Sequence, residues 1–169
     1  MKLIDAHAHY DDQRFENEFE GGRNAALALS FESGVDKIIN VATNLENAES
    51  TIALAEEYPN IYAAVGFHPT DCQELDESEI ESALAKIEEL TKHPKVVSIG
   101  EIGLDYHYDD TNESRQHLFF ARQLEMARRL DLPVIVHDRD AHGACMDIVK
   151  EYKGKAEDID VEIELRIRK

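Results

Sequence analysis

A pair of histidines near the start of the chain has the spacing of a metal-binding motif. His7 and His9 close a short apolar run and are separated by one residue. Side chains at positions i and i+2 of a strand point to the same face. Because neutral imidazole is the commonest metal ligand in proteins, the pair predicts part of a metal site. The remaining ligands must come from elements later in the chain.

Five short apolar runs supply those elements. They cover residues 3–6, 38–42, 61–65, 96–99 and 133–136. The runs are rich in β-branched residues and apolar on both faces, which is typical of parallel strands covered by helices. Helical segments alternate with them, so the sequence predicts an α/β fold with a parallel sheet and right-handed crossovers.

The helical segments are recognised by apolar positions that recur every three or four residues. These positions are Ala48, Ile52 and Ala55; Ile80, Leu84 and Ile87; Phe120, Leu124 and Ala127; and Ala141, Ala144, Ile148 and Tyr152. A less periodic helix is predicted near residues 23–33, ending at Gly34. Asp76 or Ser78 is expected to cap the helix that contains Ile80. Asp140 is expected to cap the last helix.

Metal-type residues follow four of the five predicted strands. His7 and His9 end the first run, His68 follows the third, Glu101 ends the fourth and His137 ends the fifth. Functional groups of parallel α/β proteins collect beyond the carboxyl ends of the strands. Taken singly, Glu101 also fits a helix-cap or salt-bridge acid, and His68 and His137 fit a turn residue and a partly buried histidine. Their coincidence at one edge favours a metal site.

The residue types indicate which metals would bind. Imidazoles with one carboxylate suit zinc, manganese or iron better than calcium. A carboxylate can bridge two cations roughly 3.5–4 Å apart, as in two-metal hydrolytic sites. We expect Glu101 to be that bridge, with His7 and His9 on one ion and His137 on the other. Such a site would activate a water for attack on a phosphorus or carbonyl centre.

Other polar residues are weaker candidates. Asp105, Tyr106 and His107 follow Glu101 and could support a ligand or touch a substrate. The histidines predicted to be surface residues are His93, His117 and His142. No dinucleotide or phosphate-binding glycine motif and no serine-nucleophile motif is present. Cys72 and Cys145 are far apart and are predicted to be reduced thiols.

Charge and hydropathy limit the partners. The formal net charge is −18, from 36 acidic against 18 basic residues. This argues against broad, charge-driven binding of duplex nucleic acid, but it leaves room for a phosphate at a metal site, where the cations dominate the local field. No apolar run is long enough to cross a membrane, and no apolar signal segment opens the chain. A cytoplasmic protein of one domain is expected.

Several motifs together resemble the TatD family of metal-dependent hydrolases. They are DAHAHYDDQRF, AAVGFHPTD, VVSIGEIGLDYHYD and QHLFFARQLEMARRLDLPVIVHDRDAH, in that order and spacing. The resemblance covers roughly residues 1–152. It implies a TIM barrel of the metal-dependent hydrolase superfamily, of which this chain would hold about five βα units. It also implies a divalent-metal deoxyribonuclease, often of the 3′→5′ exonuclease type.

The resemblance carries roles to matching positions only. It implies that His7, His9, Glu101 and His137 are metal ligands for two divalent ions, taken as Mg, Mn or Zn. His68 matches the histidine expected near the substrate phosphate, and Arg139 stands where a substrate contact is plausible. DNA or another phosphodiester is the implied substrate. Some relatives hydrolyse aminoacyl-tRNA esters instead, so a different ester substrate is an alternative.

The end of the sequence departs from the family pattern. Barrels of this kind typically have ~250 residues, and ~200 is the lower end. A sixth-strand histidine and a later aspartate expected in the family have no match here, so the catalytic residue stays unassigned. Residues 154–169 form an atypical tail in which Val161, Ile163, Leu165 and Ile167 alternate with charged residues. We expect a half-exposed edge strand there.

This departure predicts two parts: residues 1–153, the amino-terminal part of a barrel, and residues 154–169, a tail for which our hypothesis is a foreign or frame-altered origin on a truncated gene. On that hypothesis, a non-catalytic remnant is the second functional alternative. Open strand edges of a partial barrel invite pairing, so self-association is expected as well.

Overall fold

A six-stranded parallel sheet forms the centre of the molecule. The computed structural model describes residues 2–153 and 161–163. The strands are β1 (Leu3–Ala8), β2 (Val35–Val41), β3 (Ile61–Val65), β4 (Val96–Asp105), β5 (Val134–Arg139) and β6 (Val161–Ile163). Each strand pairs in parallel with the next one along the chain. A doubly wound sheet would reverse its strand order, so the sequential order confirms the predicted partial (β/α)₈ barrel.

Helices follow the strands at the predicted places. They are α1 (Arg14–Glu18), α2 (Gly22–Glu32), α3 (Leu45–Glu57), α4 (Ile80–Leu90), α5 (Glu113–Leu130) and α6 (His142–Lys153), with short 3-10 helices at Asp71–Glu74 and Glu77–Glu79. The α1 helix was not predicted, because it has five residues and buries none of them. Asp76 forms a capping box with Glu79 at the second 3-10 helix. Asp140 lies two residues before α6, and its carboxylate contacts His107.

Both faces of the sheet are covered by apolar side chains. The main core lies between the sheet and the helices and includes Ile38, Ile61 and the α5 residues Phe119 and Phe120. A separate small cluster contains Val41, Ala64 and Ile135, with Ile39 packed against it. Successive residues of β2 thus belong to opposite faces, as the alternation of a strand requires. Burial on both sides explains why these runs are apolar throughout.

The fourth strand is much longer than the sequence suggested. The predicted run ended at Ile99, whereas β4 continues to Asp105 and is buried for nearly its whole length. Glu101 therefore lies inside the strand and not at its end. The packing of this extension requires glycine at position 103: its φ is +141°, and a Cβ there would lie 2.0 Å from the carbonyl oxygen of His137. Only glycine allows β4 and β5 to approach this closely.

The tail contributes one short strand at the edge of the sheet. In β6, Val161, Glu162 and Ile163 pair with Val134, Ile135 and Val136 of β5. The alternating positions Leu165 and Ile167 lie outside the described residues, and the division at residue 153 stays a prediction. Within residues 2–153 and 161–163, no helix has the length and apolarity that a membrane crossing demands.

Candidate metal centre

Two groups of potential metal ligands lie side by side at the carboxyl ends of the strands, an edge that we call the rim. The potential ligand atoms within each group lie within 4.8 Å of one another. The first group is His7, His9 and Glu101; the second is His68, Asp105 and His137. Every residue that the sequence predicted as a metal ligand is thus present at the rim. Asp105 joins them although it was only a weaker candidate.

The first strand presents its histidines through an irregular register. Asp5 of β1 pairs with Ile38, and Ala8 pairs with Asn40. Over this stretch β1 therefore contains one residue more than β2, which makes a β-bulge. Such bulges re-aim side chains and are frequent beside active sites. The two ring Nε2 atoms of His7 and His9 lie 3.1 Å apart. Both rings therefore aim one nitrogen at the same point.

A backbone carbonyl fixes the orientation of His9. Its Nδ1 lies 2.8 Å from the carbonyl oxygen of Val41, at the end of the neighbouring strand. A carbonyl can only accept, so Nδ1 carries the proton and Nε2 keeps its lone pair. The same contact orients metal-binding histidines generally, because it fixes both the tautomer and the ring plane.

A second bulge positions Glu101. Ile99 of β4 pairs with Val134 and Ile102 pairs with Val136, so three steps on β4 match two on β5. The backbone N–H of Glu101 is taken out of this ladder and donates instead to the carbonyl of Ala42 at 2.9 Å. The irregularity turns the Glu101 side chain towards the histidines of β1.

The two oxygens of Glu101 face the two ligand groups. Oε2 lies 3.2 Å from Nε2 of His7 and 3.7 Å from Nε2 of His9. Oε1 lies 2.9 Å from Nδ1 of His137. One carboxylate thus spans both groups, which is the geometry that a bridging ligand needs.

Electrostatics keep Glu101 ionised. Burial is the largest single influence and raises the pKa of its carboxyl. The hydrogen bonds with His137 and His7 and the charges of the surrounding histidines act in the opposite sense. Together they hold the pKa of Glu101 well below its usual range. The carboxylate is therefore in the form that binds cations.

His137 connects the second group. Its Nδ1 lies 3.0 Å from Nε2 of His68, and its Nε2 lies 3.1 Å from Oδ2 of Asp105. His68 is held on its other side by Thr70, 2.7 Å from Nδ1. Burial, and next the charge of His137, lower the pKa of His68 to about 4. Its ring is therefore neutral at pH 7 and able to bind a metal or a substrate.

Asp105 is the site residue that sequence reasoning undervalued. It is almost fully buried. The side chain of Gln116 in α5 accepts from its N–H at 2.8 Å and donates to its carbonyl at 3.0 Å. A signal was available, since Glu101, Gly103 and Asp105 share one face if the strand continues at period two. The shorter predicted strand hid that relation.

Arg139 reaches the rim from the last position of β5. One of its terminal nitrogens lies 3.8 Å from Oδ2 of Asp105 and 3.3 Å from the hydroxyl of Tyr108. Tyr108 is half exposed beside it. The remaining four histidines lie outside both ligand groups: His93 contacts Glu56, His107 contacts Asp140, His117 contacts Tyr106 and His142 contacts Asp138. Of the three predicted to be surface residues, His142 is exposed, whereas His93 and His117 are partly buried.

Two open cavities adjoin His9. The larger, of about 760 Å³, is polar and includes Asp12, Arg14, Asn44 and Asn47 in its wall. The smaller, of about 440 Å³, runs from His7 to Phe15 and Phe19. Both give a substrate access to the first ligand group from solvent.

The cysteines are outside this chemistry. Cys72 and Cys145 are free and buried, as predicted for reduced thiols. Burial raises the pKa of each thiol to about 12. Because the thiolate is the reactive form, neither residue can act as a nucleophile near neutral pH.

The donor set fits divalent metal ions. Four imidazoles and two carboxylates suit zinc or manganese. Metal ligands are usually oriented by further hydrogen bonds. Here Val41 orients His9, and the two hydrogen bonds of Gln116 hold the backbone of Asp105.

Known proteins of similar sequence include metal-dependent hydrolases and a nuclease. The family model described as TatD related DNase matches residues 4–161. The chain is 36% identical over 154 residues to the uncharacterized metal-dependent hydrolase YabD of Bacillus subtilis (91% of this chain, 57% of the relative). It is 31% identical over 139 residues to the 3′-5′ ssDNA/RNA exonuclease TatD of Escherichia coli (82% of this chain, 52% of the relative).

A solved structure shows the same fold. The crystal structure of YjjV, a TatD homologue from Escherichia coli, superposes with a TM-score of 0.79 at 37% identity, covering 89% of this chain and 56% of that one. The chain thus spans a little over half the length of the relatives that it matches.

Proposed function

The chain belongs to the TatD family of DNase-related, metal-dependent hydrolases, and from that premise we propose that it hydrolyses phosphodiester bonds of single-stranded nucleic acid from the 3′ end. A relative that is 31% identical over 139 residues is named a 3′-5′ ssDNA/RNA exonuclease. The observation that carries the proposal is the position of Glu101, whose two oxygens face His7 on one side and His137 on the other.

The ligand assignment follows from these contacts. His7, His9 and Glu101 would hold one divalent ion, and His137 with Glu101 would begin the site of a second, supported by Asp105. Manganese and zinc match the imidazole donors best, and magnesium is the third candidate. Bound ions of this kind acidify a coordinated water and polarise a phosphoryl oxygen.

The chain's own residues orient the substrate and the ligands. Val41 fixes the tautomer of His9, so that Nε2 faces the site before any ligand arrives. His68 is neutral at pH 7 and is held by Thr70, so it can hydrogen-bond a phosphate oxygen without adding charge. Arg139 supplies the positive charge for a second phosphate contact. Together these residues would place a phosphodiester beside Glu101.

The protein's charge favours a single strand over a duplex. With a net charge of −18, the surface repels a polyanion, and a rigid duplex would bring many phosphates close to it. A single strand can enter the rim by its end and present a few phosphates only. Exonucleolytic cleavage is consistent with that mode of entry.

A cleavage assay tests the proposal. The full chain is incubated with Mn²⁺ and a 5′-labelled single-stranded oligonucleotide, beside Glu101→Gln and the matched control His93→Ala. His93 precedes β4, at the opposite end of the strands. We expect wild type and His93→Ala to shorten the strand progressively from its 3′ end, and Glu101→Gln to lose at least a hundredfold in rate. No cleavage by wild type, or equal cleavage by Glu101→Gln, would refute the proposal.

A further inference from the structure

We propose that Tyr108 stacks on a nucleobase and that Arg139 holds the adjoining phosphate, which together form a nucleotide subsite beside the candidate metal centre. The inference rests on the proposed function and extends it from the phosphate that reacts to the residues that bind the rest of the nucleotide. It predicts a substrate that is recognised through the flat faces of unpaired bases.

Tyr108 is an exposed aromatic ring on a fixed support. The residue is 49% exposed although it lies beside a buried site. The backbone N–H of His107 donates to Oδ1 of Asp105 at 3.0 Å, and the N–H and hydroxyl of Thr111 donate to the carbonyl of Tyr108 at 3.2 and 2.7 Å. The loop is therefore tied to a residue of the candidate metal centre. These hydrogen bonds hold the loop in the conformation that leaves Tyr108 exposed.

Arg139 connects the ring to the metal centre. Its guanidinium carbon lies 5.4 Å from the centre of the Tyr108 ring, and one terminal nitrogen lies 3.3 Å from the Tyr108 hydroxyl. The same nitrogen is 3.8 Å from Oδ2 of Asp105. A base on Tyr108 would therefore have a positive charge between it and the site where the phosphodiester is cleaved. That is where the phosphate of the same nucleotide must pass.

The local charges separate base from phosphate. Asp109 and Asp110 follow Tyr108 and are exposed, so the outer side of this loop repels a phosphate but not a neutral base. Arg139 is on the inner side. In a chain with a net charge of −18, stacking is an attraction that does not depend on charge. Aromatic stacking on a base also tolerates any sequence.

Fluorescence gives a direct test because the chain has no tryptophan. Tyr108→Trp places a single indole at the proposed subsite. The probe is a phosphorothioate oligothymidylate, which resists hydrolysis, in the presence of Mn²⁺. We expect it to quench the indole emission, whereas a phosphorothioate strand of the same length with abasic sugars should leave the emission unchanged. Equal quenching by both strands would overturn the stacking assignment.

Affinities complete the test. Tyr108→Leu should bind the base-containing strand roughly 5- to 150-fold more weakly than wild type, the range expected for losing one stacked base. Tyr108→Phe should retain wild-type affinity. The matched control is Tyr62→Leu, which removes a tyrosine that packs against Lys37 and Lys95 instead, and it should also retain affinity.

The outcomes separate this inference from the proposed function. Cleavage by wild type with equal affinities of wild type and Tyr108→Leu would overturn the subsite and leave the proposed function intact. A wild-type chain that neither cleaves nor binds the base-containing strand would overturn both. A loss of affinity in Tyr108→Leu for base-containing and abasic strands alike would also overturn the subsite, since stacking requires a base.

Discussion

The buried neutral ring of His68 predicts how the stability of the metal-free protein depends on pH. An exposed histidine has a pKa of 6.5, and burial lowers that of His68 to about 4. Protonation therefore favours the unfolded chain, and the stabilisation is complete above pH 6.5 and lost as pH falls towards 4. At about 1.4 kcal/mol for each pH unit between the two pKa values, the full effect is about 3 kcal/mol. About 2 kcal/mol of it should be lost between pH 7.5 and 5.

Urea unfolding at pH 7.5 and 5 measures this effect, with EDTA present so that no metal competes with protons. His68→Gln is the comparison, because glutamine keeps a polar side chain but does not titrate. Histidines that do not contact His68 are common to both proteins and cancel, so the comparison isolates His68 together with its partner His137. We expect wild type to lose about 2 kcal/mol more than His68→Gln over this interval. Equal losses in the two proteins would refute the claim that His68 is buried in its neutral form.

Two further substitutions test the support of the rim. Gly103→Ala puts a Cβ 2.0 Å from the carbonyl oxygen of His137 and should cost several kcal/mol in urea unfolding. Gly143→Ala, with no atom within 4 Å, should be neutral or slightly stabilising, and equal effects would contradict this packing. Gln116→Leu leaves the N–H and carbonyl of Asp105 without their side-chain partner, so stability should fall by about 2–5 kcal/mol and Mn²⁺ affinity measured by calorimetry should fall with it. Unchanged affinity would separate Asp105 from the metal centre.

The sequence predicts the strands, and it predicts which residues meet at the rim, because both depend on local patterns. Short apolar runs identify strands buried on two faces, and the carboxyl ends of parallel strands must meet at one edge. That argument brings His7, His9, Glu101 and His137 together. It needed the order of the elements only, and not their detailed register.

The features that the sequence did not predict depend on contacts between distant residues. The bulges that turn His7 and Glu101 towards each other appear only in the pairing of β1 with β2 and of β4 with β5. The extension of β4 past Ile99, and with it the position of Asp105, depends on the close approach of β4 to β5 at Gly103, which no local sequence pattern shows. The role of His68 beside His137 likewise requires the geometry of two strands.

In the proposed metal centre, Glu101 joins ligands from β1 and β5. Calorimetric titration of the full chain with Mn²⁺ measures this role, with His93→Ala as the control for loss of an imidazole away from the rim. We expect saturable binding by wild type and His93→Ala, and a loss of roughly a hundredfold or more in affinity for Glu101→Gln and His7→Ala. Undetectable binding by wild type, or equal affinities of wild type and Glu101→Gln, would contradict it.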